Sequence, residues 1–193
     1  MTISNRELLR AVEMAETVPG MFRRDEMAFL YRLARRKGNI VELGCYMGRS
    51  TAILVQAAQI FDAQVTTVDS FTSPGPGLEA ATQEVMENNL RRLGLPLPEV
   101  LDMTTDEAVH HWPEDRPIAL LFIDASHEEK QVLRDLQNWS PLIQMNGILA
   151  MHDLFQPSCV GVLRAVARWW QPDRWALIGL RDYTLALRRV ERV

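Results

Sequence analysis

The chain has 193 residues, 47% of them hydrophobic and 24% charged, which suits one soluble globular domain with room for only a short appended segment. Its formal net charge of −4 argues against a nucleic-acid partner, because phosphate backbones are bound by concentrated basic surfaces. The N-terminus has no apolar signal region, and no apolar run approaches the length of a membrane span, the longest clear one being Ile118 to Ile123.

Ser4 and Glu7 stand at capping-box spacing, so a helix is expected from about residue 5. Leu8, Leu9, Val12 and Ala15 supply its apolar stripe, and Pro19 and Gly20 end it. A second helix carries Asp25 and Glu26 in its first turn and Arg35, Arg36 and Lys37 in its last, charges that complement the helix dipole at both ends. Gly38 closes it. Residues 1–37 are therefore expected to form an N-terminal helical segment packed on a core domain of residues 38–193.

From residue 39 strand and helix alternate. Ile40 to Leu43 is a short strand, followed by a glycine-bearing turn and a helix from about Ser50 to Phe61. Gln64 to Val68 is a β-branched strand ending in Asp69, and a loop rich in proline and glycine leads to a polar helix ending near Gly94. Leu97 to Leu101 reads as a third strand, and Thr104 with Glu107 is a second capping box. Ile118 to Ile123 fits a central parallel strand buried on both faces. Ser126 with Glu129 is a third capping box, placing His127 in the first turn of a helix whose apolar face holds Val132, Leu133, Leu136 and Trp139. Gly147 to Met151 is a fifth strand, Val162 to Trp170 a helix, and Trp175 to Leu180 with Tyr183 to Val190 a terminal hairpin.

Five strand-then-helix units predict an α/β fold: a Rossmann-like doubly wound sheet, mostly parallel, with a C-terminal antiparallel hairpin and helices on both faces. Ligands of such sheets bind beyond the carboxyl ends of the strands, at the topological switch point. That directs attention to Glu42, Gly44, Asp69, Asp102, Asp124, His152 and Asp153. Gly44 lets the backbone leave the first strand sharply, and Gly48 opens the next helix. Tyr46 holds the place of the middle glycine of the dinucleotide fingerprint, so the turn suits a nucleoside ligand without a pyrophosphate better than NAD. Glu42 stands where a carboxylate could reach an amino group, and Asp69 where one could accept from both ribose hydroxyls. Cys45 and Cys159 form no CxxC pair, and a reducing, cytoplasmic setting is expected.

With VELGCYMGRST, TVDSF, LLFIDASHEEKQVLRDLQNW and GILAMHD followed by GVLRAV, the sequence resembles the class I methyltransferases. It is most similar to the small-molecule O-methyltransferases related to cephalosporin hydroxylase-type and macrocin-type enzymes. The resemblance implies S-adenosylmethionine as cofactor, with Glu42, Gly44 and Gly48 against its methionine part and Asp69 holding its ribose. Asp102, or Thr104 beside it, would lie near the adenine, and Tyr46, Ser50, Ser70 and Asp124 would be further cofactor-binding residues. It also implies a divalent cation, magnesium or another, at Asp124, Asp153 and His152. His152 departs from the usual acidic or Asp-Asn pair, and magnesium prefers oxygen donors. His127 falls where relatives of this subfamily place a general base, with Asp124 as its catalytic neighbour.

A helix N-terminus lowers the pKa of a histidine, so His127 is expected to be a neutral base that deprotonates a hydroxyl as it attacks the sulfonium methyl. The expected partner is a small hydroxylated molecule. The N-terminal helices are free either to pair two chains as a homodimer or to cover one site. Two rival readings stay open on the residues alone: a non-catalytic binding module of the same fold, and a nicotinamide-dependent oxidoreductase.

Overall fold

The computed structural model describes residues 4–72 and 81–190. Two helices, α1 (Asn5–Glu16) and α2 (Arg24–Ala34), precede the first strand. The alternating region runs β1 (Asn39–Leu43), α3 (Arg49–Gln59), β2 (Gln64–Asp69), α4 (Gln83–Arg92), β3 (Glu99–Asp102), α5 (Thr105–His111), β4 (Ile118–Ile123), α6 (Glu129–Trp139), β5 (Ile143–Met151) and α7 (Val160–Trp169). β6 (Trp175–Arg181) and β7 (Thr184–Arg189) form the closing hairpin. Seven strands pair in the order β3-β2-β1-β4-β5-β7-β6; β1 to β5 are parallel, and β7 runs antiparallel to both β5 and β6. The expected doubly wound sheet with a terminal hairpin is therefore observed, and β7 rather than β6 is the strand that joins it to β5.

All six residues of β4 are buried, and their alternation explains the continuous apolar run. Leu120 and Phe122 enter the core that α1 to α4 cover, whereas Leu121 and Ile123 enter the core under α5, α6 and α7. The N-terminal helices belong to the first of these layers: Leu8, Val12 and Leu30 pack with Ile53 and Leu54 of α3. Ser4 caps α1, its hydroxyl accepting from Glu7 N–H at 3.1 Å, and Thr104 caps α5 in a reciprocal box with Glu107. The third expected box does not form. α6 begins only at Glu129, and Ser126 Oγ accepts from Glu128 N–H at 3.2 Å, so His127 lies in a turn ahead of the helix rather than inside its first turn. Among the described residues, no helix is long and apolar enough to cross a membrane.

Candidate active site

The strand order reverses between β1 and β4, and the turns that leave these two strands lie against one another. Gly44, at φ +84°, is the point of contact: a Cβ there would stand 2.3 Å from the carbonyl oxygen of Asp124. Glycine is required at this position by the β4 turn rather than by a ligand. Gly48 caps α3 in the left-handed region, at φ +92°.

Asp69, at the end of β2, reaches across to this turn. Its Oδ2 accepts from Cys45 N–H at 2.9 Å and Tyr46 N–H at 3.1 Å, and its Oδ1 accepts from Phe71 N–H at 2.9 Å. A carboxylate has about four acceptor positions, so these three bonds orient it and leave room for a ligand hydroxyl. Asp102 lies beside Asp69 in register at the end of β3 and is exposed. Ser70 shares a 2.9 Å hydrogen bond with Thr72, and the hydroxyl of Thr104 is committed to Glu107. The loop expected over this end runs into residues 73–80, outside the described residues.

Glu42 and Ser50 depart from the roles expected of them. The Glu42 carboxylate is fully buried beneath the turn, where Ser50 Oγ and Thr51 Oγ1 each donate to it at 2.6 Å and Thr67 Oγ1 at 3.1 Å. Burial pushes its pKa up to about 7, although the three hydroxyls pull it down. The Glu42–Ser50 pair therefore braces the turn from below, with both side chains buried. Cys45 is also buried, and burial, then Glu42 and Asp69, hold its thiol well above the usual range, which leaves no nucleophile there.

The second cluster stands at the ends of β4 and β5. His127 Nε2 lies 2.9 Å from Asp153 Oδ2. His152 Nδ1 lies 3.2 Å from Asp124 Oδ1 and 3.3 Å from Asp153 Oδ2, while its Nε2 lies 3.2 Å from Glu26 Oε1 and 3.3 Å from Glu26 Oε2. The ring of His152 is buried and meets the edge of Phe22 at 5.0 Å. The Cys159 sulfur is within 4.8 Å of the His127 and Asp153 ligand atoms, and burial pushes this thiol up, so it adds a neutral wall. Asp153 adopts a left-handed backbone, φ +60°, which turns its carboxylate back toward both histidines.

The pKa of His127 is raised, opposite to expectation. The hydrogen bond to Asp153 is the main cause and outweighs half-burial of the ring, and the helix that was to lower it starts two residues later. Burial raises the Asp153 carboxyl, but the bonds from His127 and His152 outweigh it and hold Asp153 well below the usual carboxylate range. Burial likewise works against a charge on His152. Asp124, then Asp153 and Glu26, overcome it and push that histidine up to about 12.

Asp124, His152 and Asp153 bring three donor atoms within 4.8 Å of one another, a spacing that a cation could bridge. The donor set does not fit magnesium, which demands oxygen ligands in near-octahedral order. An imidazole stands between the two aspartates, with one nitrogen turned on them and the other on Glu26. With a carboxylate at each nitrogen, each nitrogen donates, so His152 is an imidazolium and supplies the positive charge itself. In this arrangement the His152 ring has no lone pair to offer a cation, so the donor set does not fit the metal expected at Asp124, Asp153 and His152.

Two residues at this site carry no role in the sequence reading. Glu26, from α2, is the first. The second is Gly161 in α7: a Cβ there would lie 2.3 Å from the His127 carbonyl oxygen and 2.7 Å from Glu129 N. The His127 turn thus rests on the α7 backbone.

A family model described as a methyltransferase domain matches residues 41–154, more than half of the chain. The chain belongs to the methyltransferase-domain family. Solved structures agree in fold. The apo form of CalS11, a TDP-rhamnose 3'-O-methyltransferase of calicheamicin biosynthesis, is 19% identical with a TM-score of 0.64 over 97% of this chain and 96% of that one. The SAH-bound methyltransferase PaMTH1 of Podospora anserina is 16% identical, TM-score 0.69, covering 98% and 89%. An O-methyltransferase from Bacillus cereus in complex with SAH is 16% identical, TM-score 0.65, covering 98% and 93%. In this methyltransferase the matched segment starts at Val41, within β1, and ends at Leu154, one residue past Asp153, so β2 to β5 and the carboxyl end of β1 fall inside it, while α1, α2, α7 and the hairpin fall outside.

Proposed function

We propose that this methyltransferase carries the methyl group of S-adenosylmethionine to a hydroxyl of a small molecule, with His127 as general base. The observation that carries the reading is the 2.9 Å pair between His127 Nε2 and Asp153, set at the carboxyl ends of β4 and β5 with the imidazole half exposed. Asp153 accepts the Nε2 proton and so fixes the tautomer, which leaves Nδ1 as the basic nitrogen. The acceptor oxygen forms its bond to the methyl carbon, the carbon–sulfur electron pair returns to sulfur, and the hydroxyl proton passes to Nδ1. The products are the methyl ether, S-adenosylhomocysteine and a protonated His127.

The other end of the crevice supports the cofactor half of the reading. Asp69 keeps an acceptor position for a ribose hydroxyl, and Asp102 stands beside it. The Gly44–Gly48 turn stands between Asp69, which accepts from its Cys45 and Tyr46 amides, and the turn at Asp124, an order that suits a nucleoside on one side and a reacting sulfonium on the other. Two of the structural neighbours are O-methyltransferases, one acting on a sugar nucleotide, in keeping with a hydroxyl acceptor.

His127→Ala tests this. Turnover is expected to fall by about a hundredfold or more, the usual worth of a positioned base. Affinity for S-adenosylhomocysteine, measured by calorimetry, is expected to stay within about twofold, because His127 does not line the ribose end. Unchanged turnover would remove His127 as the base, and absence of any S-adenosylhomocysteine binding by the parent protein would favour a non-catalytic module.

A further inference from the structure

We propose that Glu26 is a positioning residue for methyl transfer: from the N-terminal helix α2 it holds His152, and through His152 the Asp153–His127 pair. The inference rests on His127 being the base. Glu26 lies outside the matched family segment, on α2.

The carboxylate is fully buried, and both of its oxygens are fixed before they meet the histidine. Oε2 accepts from Arg23 N–H at 3.1 Å, closing the first turn of α2. Oε1 accepts from Tyr183 N–H at 3.0 Å and from Thr184 Oγ1 at 3.1 Å, both at the turn into β7. Two separate segments therefore hold Glu26 rigidly, and its remaining acceptor positions face His152 Nε2. Phe22, from the same N-terminal segment, meets the edge of the ring. With Nε2 tied to Glu26, the ring can present only Nδ1 to Asp124 and Asp153. Asp153 Oδ2 is then shared between His152 and His127, so a change in ring position displaces the atom that fixes the tautomer of the base.

A purely structural staple would also bury Glu26, and the two roles separate by experiment. Glu26→Gln keeps the shape and removes the charge. Ser4→Ala removes the cap of α1 and leaves Glu26 and His152 untouched. The proposal predicts that Glu26→Gln lowers kcat by about tenfold or more while KM for S-adenosylmethionine stays within about twofold, because a misplaced base loses rate rather than binding. It also predicts that the ring signals of His127, not only those of His152, shift in proton–nitrogen spectra of Glu26→Gln. Ser4→Ala is expected to lower Tm with kcat within about twofold of the parent.

A folded Glu26→Gln with parental kcat, or an equal kcat loss in Ser4→Ala, overturns the proposal. Should Glu26→Gln not fold, Phe22→Leu frees the ring edge alone and should lower kcat by about threefold; an unchanged kcat there overturns it. If His127→Ala keeps its turnover, the base assignment has failed and the catalytic role of Glu26 fails with it. The hold of Glu26 on the Asp153–His127 pair is then read from the His127 ring signals in Glu26→Gln: a shift upholds that hold and parental signals overturn it.

Discussion

The two ends of the crevice bury their carboxylates in different ways. Under the β1 turn, Glu42 has only hydroxyl partners, and its pKa is driven up to about 7. At the ends of β4 and β5, Asp153 and Glu26 face histidines, and both are lowered despite burial. Hydroxyls satisfy lone pairs but bring no charge, so ionised Glu42 stays costly there and serves as a brace. Imidazoles bring a proton that can be shared and moved, so the second end can do acid–base work. Position in the fold is similar for the two carboxylate groups; the partner decides whether the group is structural or reactive.

Gly161→Ala would break the reactive end most severely. The new methyl group would meet backbone atoms of His127 and Glu129, which cannot rotate away, so the turn must shift. A loss of about ten- to a hundredfold in kcat is expected for a base displaced by this much, with S-adenosylhomocysteine affinity retained. Stopped-flow single-turnover measurement beside calorimetry checks both. Equal losses in rate and affinity would mean that the turn serves the cofactor as much as the base.

Glu42→Gln probes the braced end and is expected to act on stability alone. The folded pKa of Glu42 lies above its ordinary value of 4.5, so below that value it is neutral in both states and costs nothing. As pH rises from there the unfolded chain ionises first, and the penalty on the folded state grows until Glu42 itself ionises near 7. Glutamine escapes this penalty. The Tm of Glu42→Gln relative to the parent should therefore be higher at about pH 8 than at about pH 5. A constant difference would show that the hydroxyl cage holds the ionised form without cost.

Much of the fold is legible in the sequence because burial writes itself into short patterns. The apolar run of β4 marks a strand covered on both faces, and the Ser4 and Thr104 caps announce their helices. The candidate site is legible where a residue stands at a strand end, as Asp69, Asp124 and Asp153 do. It is not legible where a residue's role depends on a distant partner. Asp25 and Glu26 look alike as first-turn acids, yet Asp25 is exposed and Glu26 is fully buried. The one local signal is that Glu26 shares a helical face with Leu30 and Leu33, both buried, and an acid on an apolar stripe needs an internal partner. The environment of His127 differs from the one its sequence neighbours suggest. Ser126 and Glu129 have the spacing of a capping box, but Ser126 bonds to Glu128, and a partner from β5 sets the charge of the histidine. Gly161 gives no signal at all, because its neighbour lies 34 residues away (161 − 127) and touches through backbone.

The most direct test of the His127–Asp153 base is the pH dependence of kcat in the parent and in Asp153→Asn. Asp153 raises the pKa of His127 above its ordinary 6.5, and a base works only when deprotonated. The parent should therefore lose rate as pH falls through a value above 6.5, and Asp153→Asn should move that limb to lower pH while lowering the plateau. An acid limb that stays in place when Asp153 loses its charge would contradict the account.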